Sequence, residues 1–406
     1  SARARPPSCP GKNDRTIARE LASESVVLLK NLDGILPIDP QVGRIAVIGP
    51  CADDPAALFG CYSFPHHVLE RFPGHDFGVV AASVLDGLRE HLEPSQIIHA
   101  QGFHISSPDT TDIPGAVDLA SSSDLAILVV GDRAGLFGTG TSGEGCDVED
   151  LELPGVQGAL VAAVLDTGTP TILVVLSGRA YALGAYASRA RAIVLSFFPG
   201  QEGGLALADV LTGATNPSGR LPVQIPERPG GSPAIYLHPI LGGRSEGISN
   251  LDPTPCFAFG HGLSYTKFTV TEVQADTEAV GTDGRVEISA VVRNVGARRG
   301  AEVVQLYVTD VAAEVTRPVR QLIGFARLLL EPGQASRVTF EVASDLVSFT
   351  GLDIARVVEP GVVIFHVSAS AVQDWASVTV NLTGLRRVVG SDRVMTVPVR
   401  MMPIDD

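Results

Sequence analysis

Residues 135–147 read GLFGTGTSGEGCD. Gly138, Gly140 and Gly143 stand in a G-x-G-x-x-G spacing, and Glu144 follows, held between two glycines. Two chemistries use such residues. A glycine loop opening a helix can cradle a pyrophosphate on its backbone N–H groups. Alternatively, flanking glycines let the backbone bring one carboxylic acid against a substrate as a general acid, provided burial or a neighbouring negative charge favours its protonated form. The dinucleotide reading fails on context. Its glycines should follow a strand directly and open a helix, with an acid about 20 positions on. Here the apolar run AILVVGD stops at Asp132, several residues early, and the acidic EGCDVEDLELPG that follows would repel a phosphate. Two readings stay open: a surface loop with solvated acids at Glu144, Asp147, Glu149 and Asp150, or a mobile loop that delivers Glu144 into a site.

The surrounding elements place this loop. RTIARELASESVVLLK (15–30) has amphipathic helical spacing and ends at Asn31 and Asp33-Gly34, a turn signal. RIAVIGP (44–50), DLAILVVGD (124–132), TILVVLSG (171–178) and AIVLSFFPG (192–200) are continuously apolar, and QIIHAQG (96–102) is a weaker fifth. Such runs read as buried parallel strands. Helical patterns at 81–92, 156–168 and 203–213 lie between them. The alternation predicts an α/β sandwich over residues 1–226, with functional groups gathered at the carboxyl ends of the strands. Residues 227–264 belong to a Pro- and Gly-dense connection that begins near 217. From 265 to 406 the pattern changes to period two, in RVEISAVVRNVG, AEVVQLYVTD, ASRVTFEVAS, GVVIFHVSAS and ASVTVNLTG, with turns at Pro332-Gly333 and Pro360-Gly361. That predicts an antiparallel β-sandwich of immunoglobulin or fibronectin-III type, closing on a C-terminal tail.

Composition narrows the function. Of 406 residues, 45% are hydrophobic and only 18% charged, so a packed fold is expected rather than disorder. A formal charge of -15 without a basic run argues against nucleic acid and anionic membranes. No apolar stretch is long enough to span a bilayer, and SARARPPSCPGKN lacks the apolar core of a signal peptide. Localisation, in the bacterial cytoplasm or secreted, is left undecided. Cys9, Cys51, Cys61, Cys146 and Cys256 are dispersed. Reduced structural cysteines are expected, with a Cys51–Cys61 bridge or a loop thiol at Cys146 as alternatives. The nine histidines show no ligand spacing, and neither a metal nor a cofactor is expected.

TSGEGCDVEDLELPGVQ (141–157) resembles the acid/base loop of glycoside hydrolase family three, whose members include β-glucosidases and β-xylosidases. The likeness continues through ARELASESVVLLKNLDGILPI (18–38), IAVIGPCADDPAALFGCYS (45–63), FFPGQEGGLALADVLTGATNPSGRLPVQIP (197–226) and FAFGHGLSYTKF (257–268). NVGARRGAEVVQLYV (294–308), RPVRQLIGF (317–325) and LEPGQASRVTFEV (330–342) resemble that family's fibronectin-III-like domain. The resemblance implies a retaining exo-β-glycosidase acting on a terminal β-glycoside of an oligosaccharide or aryl glycoside. It implies Glu144 as acid/base, and Tyr62 as an aromatic near the leaving-group subsite.

The family's nucleophilic aspartate sits on a (β/α)8 barrel, and no eight-fold strand–helix array is legible here. Asp53, Asp54, Asp147 and Glu202 are spare acids whose contexts suit none of them to replace it; Glu202 is expected to hold the PGQEGG loop and cap the next helix. The barrel is then expected on another polypeptide or a removed segment, with a homodimer as a further possibility and an apolar patch beside 135–150. The alternative is a non-catalytic sugar-binding or scaffold module.

Overall fold

The computed structural model describes residues 12–69, 71–72, 74–230, 235–243, 247 and 250–404; Cys9 lies outside them. The chain divides into two compact units, residues 1–219 with 227–230 and residues 220–226 with 231–406.

The first unit is built on a six-stranded sheet in the order β1-β6-β5-β4-β2-β3. Five strands run parallel: β2 (Ile45–Ile48), β3 (Ile97–Ala100), β4 (Leu125–Gly131), β5 (Thr171–Leu176) and β6 (Ala192–Ser196). All but β3 are buried along their whole length, which is why their sequences show no alternation. The helices are α1 (Lys12–Ser25), the single turn α2 (Phe64–His67), α3 (Val84–His91), α4 (Ile113–Ser121), α5 (Gln157–Asp166), the single turn α6 (Gly184–Ala187) and α7 (Gly203–Thr212).

One expected helix divides in two. The pattern over 15–30 yields α1 only to Ser25, and then β1 (Val27–Asn31) joins the sheet antiparallel to β6. Val26, Val27, Leu28 and Leu29 are all buried. A half-exposed helix cannot bury four consecutive side chains, whereas a strand on the open β6 edge can, with Val27 opposite Leu195.

Helix α1 is held to α7 by charge pairs. The Arg15 Nε donates to Glu202 at 2.5 Å, and the Arg19 guanidinium holds Asp209 through two bonds of 2.6 and 2.7 Å. His91 of α3 reaches the same Asp209 at 2.8 Å. Glu202 stands at the N-cap of α7, but its side chain makes no cap hydrogen bond. This corrects the expectation for that residue: a buried carboxylate gains more from a charge-assisted bond to a guanidinium than from a neutral N–H.

The second unit packs two sheets, antiparallel except where Ala279–Gly281 pairs parallel with Gln373–Thr383. One orders Ala279–Gly281, Gln373–Thr383, Gly361–Ser370, Gly300–Asp310 and Gln321–Leu330; the other orders Val399–Ile404, Ala335–Ala343, Arg285–Asn294 and Phe268–Ala275. Val286, Ile288, Ala290 and Val292 point inward at every second position, meeting Phe340, Phe365 and Val367 in one core. The tail therefore contains an edge strand, Val399–Ile404, whose exposed Met401 and Met402 hide the alternation. The Pro- and Gly-rich stretch is irregular yet tied down within this unit: Leu221 N–H donates to His261 O at 2.9 Å, and Gly260 N–H to Leu221 O at 2.8 Å.

A charged cluster on this sandwich makes its stability acid-sensitive. Burial pushes Asp374 up, but hydrogen bonds from His366, Arg320 and Ser368, with the Arg320 charge, hold it well below the usual carboxylate range. A carboxyl held low when folded stabilises the fold above its unfolded pKa of about 3.9 and loses that contribution as pH falls. Trp375 fluorescence should therefore report weakening of the sandwich below about pH 4. Asp374→Asn should lower stability at neutral pH and flatten that acid limb; an equally steep limb in the variant would remove Asp374 as its cause.

Candidate active site

The strand order reverses at β2. From β2 the chain moves outward to β3, then crosses back to β4 on the other side of β2. The crevice at the carboxyl ends of β2 and β4 is thus a topological switch point, where open α/β sheets place their ligand sites. Glycines let both strand ends pass their neighbours closely. Gly49, after β2, has φ 120°, and a Cβ there would lie 2.2 Å from Val129 O. Gly131, closing β4, has φ 139°, and a Cβ would lie 1.8 Å from Leu176 O.

The segment after β2 is locked by its acids. Asp54 accepts the Ala56 N–H at 2.9 Å, and Asp53 accepts the Ser83 hydroxyl at 2.9 Å, on the residue that caps α3. His66 is buried against Ala56 O at 2.9 Å. These contacts leave Tyr62 standing out from the segment. The spare acids Asp53 and Asp54 are consumed in local structure, Asp147 is exposed, and Glu202 belongs to Arg15.

The loop after β4 folds back on itself. Thr141 N–H donates to Arg133 O at 2.9 Å, Gly135 N–H to Ser142 O at 2.9 Å, and Phe137 N–H to Glu144 O at 2.8 Å. Packing also requires the glycines. A Cβ on Gly135 would meet Gly140 N at 2.4 Å, and one on Gly143 would meet Gly135 O at 2.2 Å and Cys61 Cβ at 2.7 Å. Gly143 and Gly145, flanking Glu144, have φ of 126° and 71°, a region that L side chains avoid. No helix begins at the G-x-G-x-x-G pattern; the next, α5, opens only at Gln157.

These two segments bring Glu144 and Tyr62 together: the Tyr62 hydroxyl donates to Glu144 Oε2. That hydrogen bond first, then slight desolvation and the Glu144 charge, pushes the Tyr62 phenol above its ordinary value, so it remains a donor at neutral pH. The Tyr62 ring meets His67 edge-on, 5.9 Å between centroids. Phe137, at φ 54°, presents its ring beneath the Arg71 guanidinium, 5.3 Å away. Glu144 itself is exposed, and Tyr62, Phe64, Phe72 and Phe137 on the same segments are between 46% and 65% exposed. A carboxyl oriented by a phenol among aromatic rings can exchange a proton with a ligand whose apolar face stacks on those rings.

Three residues that sequence reasoning left aside shape the loop from below. Asp132 is fully buried, Tyr181 is buried beside it, and Arg179 holds Cys146 O at 2.7 Å. The signal for Asp132 was present, since it is the lone acid ending an unbroken apolar run. Cys51, Cys61 and Cys146 are free thiols, so the Cys51–Cys61 bridge does not form. Among the described residues no group of three or more His, Cys, Asp or Glu side chains is gathered to hold a metal, and no helix is long and apolar enough to cross a membrane.

Comparison with known proteins gives this geometry its class. Residues 26–265 match the glycosyl hydrolase family 3 C-terminal domain, and residues 302–371 a fibronectin type III-like domain. The class is that of the glycosyl hydrolases, and the chain belongs to their family 3. It is 37% identical over 373 residues to a beta-xylosidase of Formosa agariphila, covering 91% of this chain and 50% of that protein. It is 34% identical to a periplasmic beta-glucosidase of Salmonella typhimurium, covering 86% of this chain and 47% of the other. The crystal structure of a beta-glucosidase from Listeria innocua in complex with isofagomine is similar with TM-score 0.80 and 27% identity, over 92% of this chain and 51% of that one. The chain spans about half the length of the curated relatives it matches, and corresponds to their C-terminal half.

The Tyr62–Glu144 bond can be read in the isolated chain. In a 13C NMR titration, Glu144→Gln should bring the Tyr62 phenol down toward its ordinary value of about 10. An unmoved Tyr62 titration would show that the two groups do not meet in solution.

Proposed function

We propose that Glu144 is the general acid/base of a retaining exo-β-glycosidase whose nucleophile is a carboxylate outside this chain, on the barrel domain that the family likeness implies. The observation that carries the reading is the pairing of Glu144 with Tyr62 at the switch point, on a loop built to present one acid. The nucleophile attacks the anomeric carbon of a terminal β-linked glucose or xylose and the bond to the leaving oxygen breaks. Glu144 gives that oxygen its proton. Water then attacks the glycosyl-enzyme while Glu144 takes the water's proton, which restores both groups. Retention requires the two carboxyls about 5–5.5 Å apart, so the partner domain must cover Glu144 closely. Covering also excludes water from an acid that is exposed in this chain. The exposed ring of Phe137, whose N–H holds Glu144 O, supplies apolar surface beside Glu144 for such a cover. Tyr62 orients the carboxyl and offers its ring to the leaving group.

The exposure of Glu144 also suits the second reading, a sugar-binding or scaffold module without chemistry of its own. One mixing experiment separates the two. The purified chain alone should not hydrolyse aryl β-glucosides or β-xylosides, and addition of a family 3 barrel domain should produce hydrolysis. Glu144→Gln should then slow it by about 10²–10⁴-fold, the usual contribution of a positioned acid/base. Hydrolysis by the chain alone would refute an external nucleophile, and an unchanged rate in Glu144→Gln would refute the assignment of that residue.

A further inference from the structure

Asp132 follows directly on β4 and is fully buried. Its carboxyl gathers donors from two directions. From the loop, the Thr141 hydroxyl donates to Oδ1 at 2.7 Å. From the segment after β5, the Tyr181 hydroxyl donates to Oδ1 at 2.5 Å and the Gly178 N–H to Oδ2 at 3.0 Å. The Ser177 hydroxyl lies 3.1 Å from Oδ2 but is closer to Arg179 O, at 2.5 Å, and its single proton serves one of them. Burial first, then the Asp132 charge, drives the Tyr181 phenol far above its ordinary range, so it stays a donor. A buried carboxyl holds such donors firmly, because each one lost leaves it unsatisfied.

The placement of these partners is specific. Thr141 lies three residues before Glu144. Two residues after Glu144, Cys146 O accepts the Arg179 guanidinium at 2.7 Å, and the same Nη2 is 3.4 Å from Thr141 O. Both feet of the segment carrying the acid are therefore tied to the end of β5, and Phe137 N–H braces its middle at Glu144 O. None of these groups reaches Tyr62 or the exposed side of Glu144 through any described contact, so their influence on the acid passes through the loop backbone.

We propose that Asp132 is the positioning residue for Glu144: through Thr141 on one side and Tyr181 and Gly178 on the other, it sets the acid-bearing segment against the end of β5. The inference rests on the proposed role of Glu144 for its catalytic meaning, but its structural content is separable from that role.

The test uses Asp132→Asn, which keeps the shape, and Thr141→Val, which removes only the donor on the loop side. Amide hydrogen exchange of the chain should quicken at least tenfold at Phe137 and Cys146 in both variants. The amides of Val129 and Val174, inside β4 and β5, should change less than twofold. If Asp132→Asn does not fold, Thr141→Val decides. Loop protection unchanged, or lost equally in loop and strands, would overturn the proposal, the latter by reducing Asp132 to general support of the fold. A rate measurement with the added barrel provides the catalytic arm. A misplaced acid should lower kcat/KM, which reports only the first step, at least tenfold more for a phenyl glycoside than for a dinitrophenyl glycoside, whose leaving group departs without a proton. Equal slowing of the two would also count against a positioning role. Glu144→Gln, run beside it, should leave loop exchange as in the parent, and only its rates report on Glu144. A failed assignment of Glu144 is thus seen apart from a failed assignment of Asp132.

Discussion

The hydrogen bonds gathered by one buried carboxyl, that of Asp132, join the end of the sheet to the loop that carries Glu144. A carboxyl with no access to water is destabilising by several kcal/mol unless its oxygens are satisfied. Here the satisfying groups come from two segments that share no sequence neighbourhood, the loop carrying Thr141 and the turn carrying Gly178 and Tyr181. Once those bonds form, the loop has little room. Gly135, Gly140 and Gly143 cannot carry a side chain: their missing Cβ atoms would sit inside the backbone of the opposing arm or against Cys61. The same closeness brings Tyr62, next to Cys61, into reach of Glu144.

The sheet beneath supplies the geometry that this contact needs. Parallel strands put all their carboxyl ends on one side, and the reversal of order at β2 opens a gap there between two loops. Tyr62 comes from one loop and Glu144 from the other. The charge pairs that Arg15 and Arg19 of α1 make with α7 serve packing: they replace caps and solvent for two carboxylates that α7 buries. Within the sandwich unit, Asp374 plays a comparable structural part, drawing His366, Arg320 and Ser368 onto one oxygen pair.

The parallel strands were legible because burial on both faces leaves a run with no polar interruption, and LAILVVG and TILVVL show it plainly. The sandwich strands were legible for the opposite reason, a strict alternation such as that of Val286, Ile288, Ala290 and Val292. The signal weakened where neighbours decide the outcome. VVLL fits a helix or a strand equally, and the free edge of β6 made it a strand. Val399–Ile404 lies at a sheet edge with its methionines outward, so no period marks it. Glu202 has the position of a cap, yet Arg15, distant in sequence, claims it.

The order of elements, the change from α/β to antiparallel β, the glycine-flanked Glu144 and the family likeness are all properties of local pattern, and the sequence by itself determined them. The meeting of Tyr62 with Glu144, the packing role of the loop glycines and the burial of Asp132 depend on segments far apart along the chain. Only the tertiary structure decided these, because hydrogen bonds and steric contact act over a few ångströms in space and leave no trace at a fixed spacing in sequence.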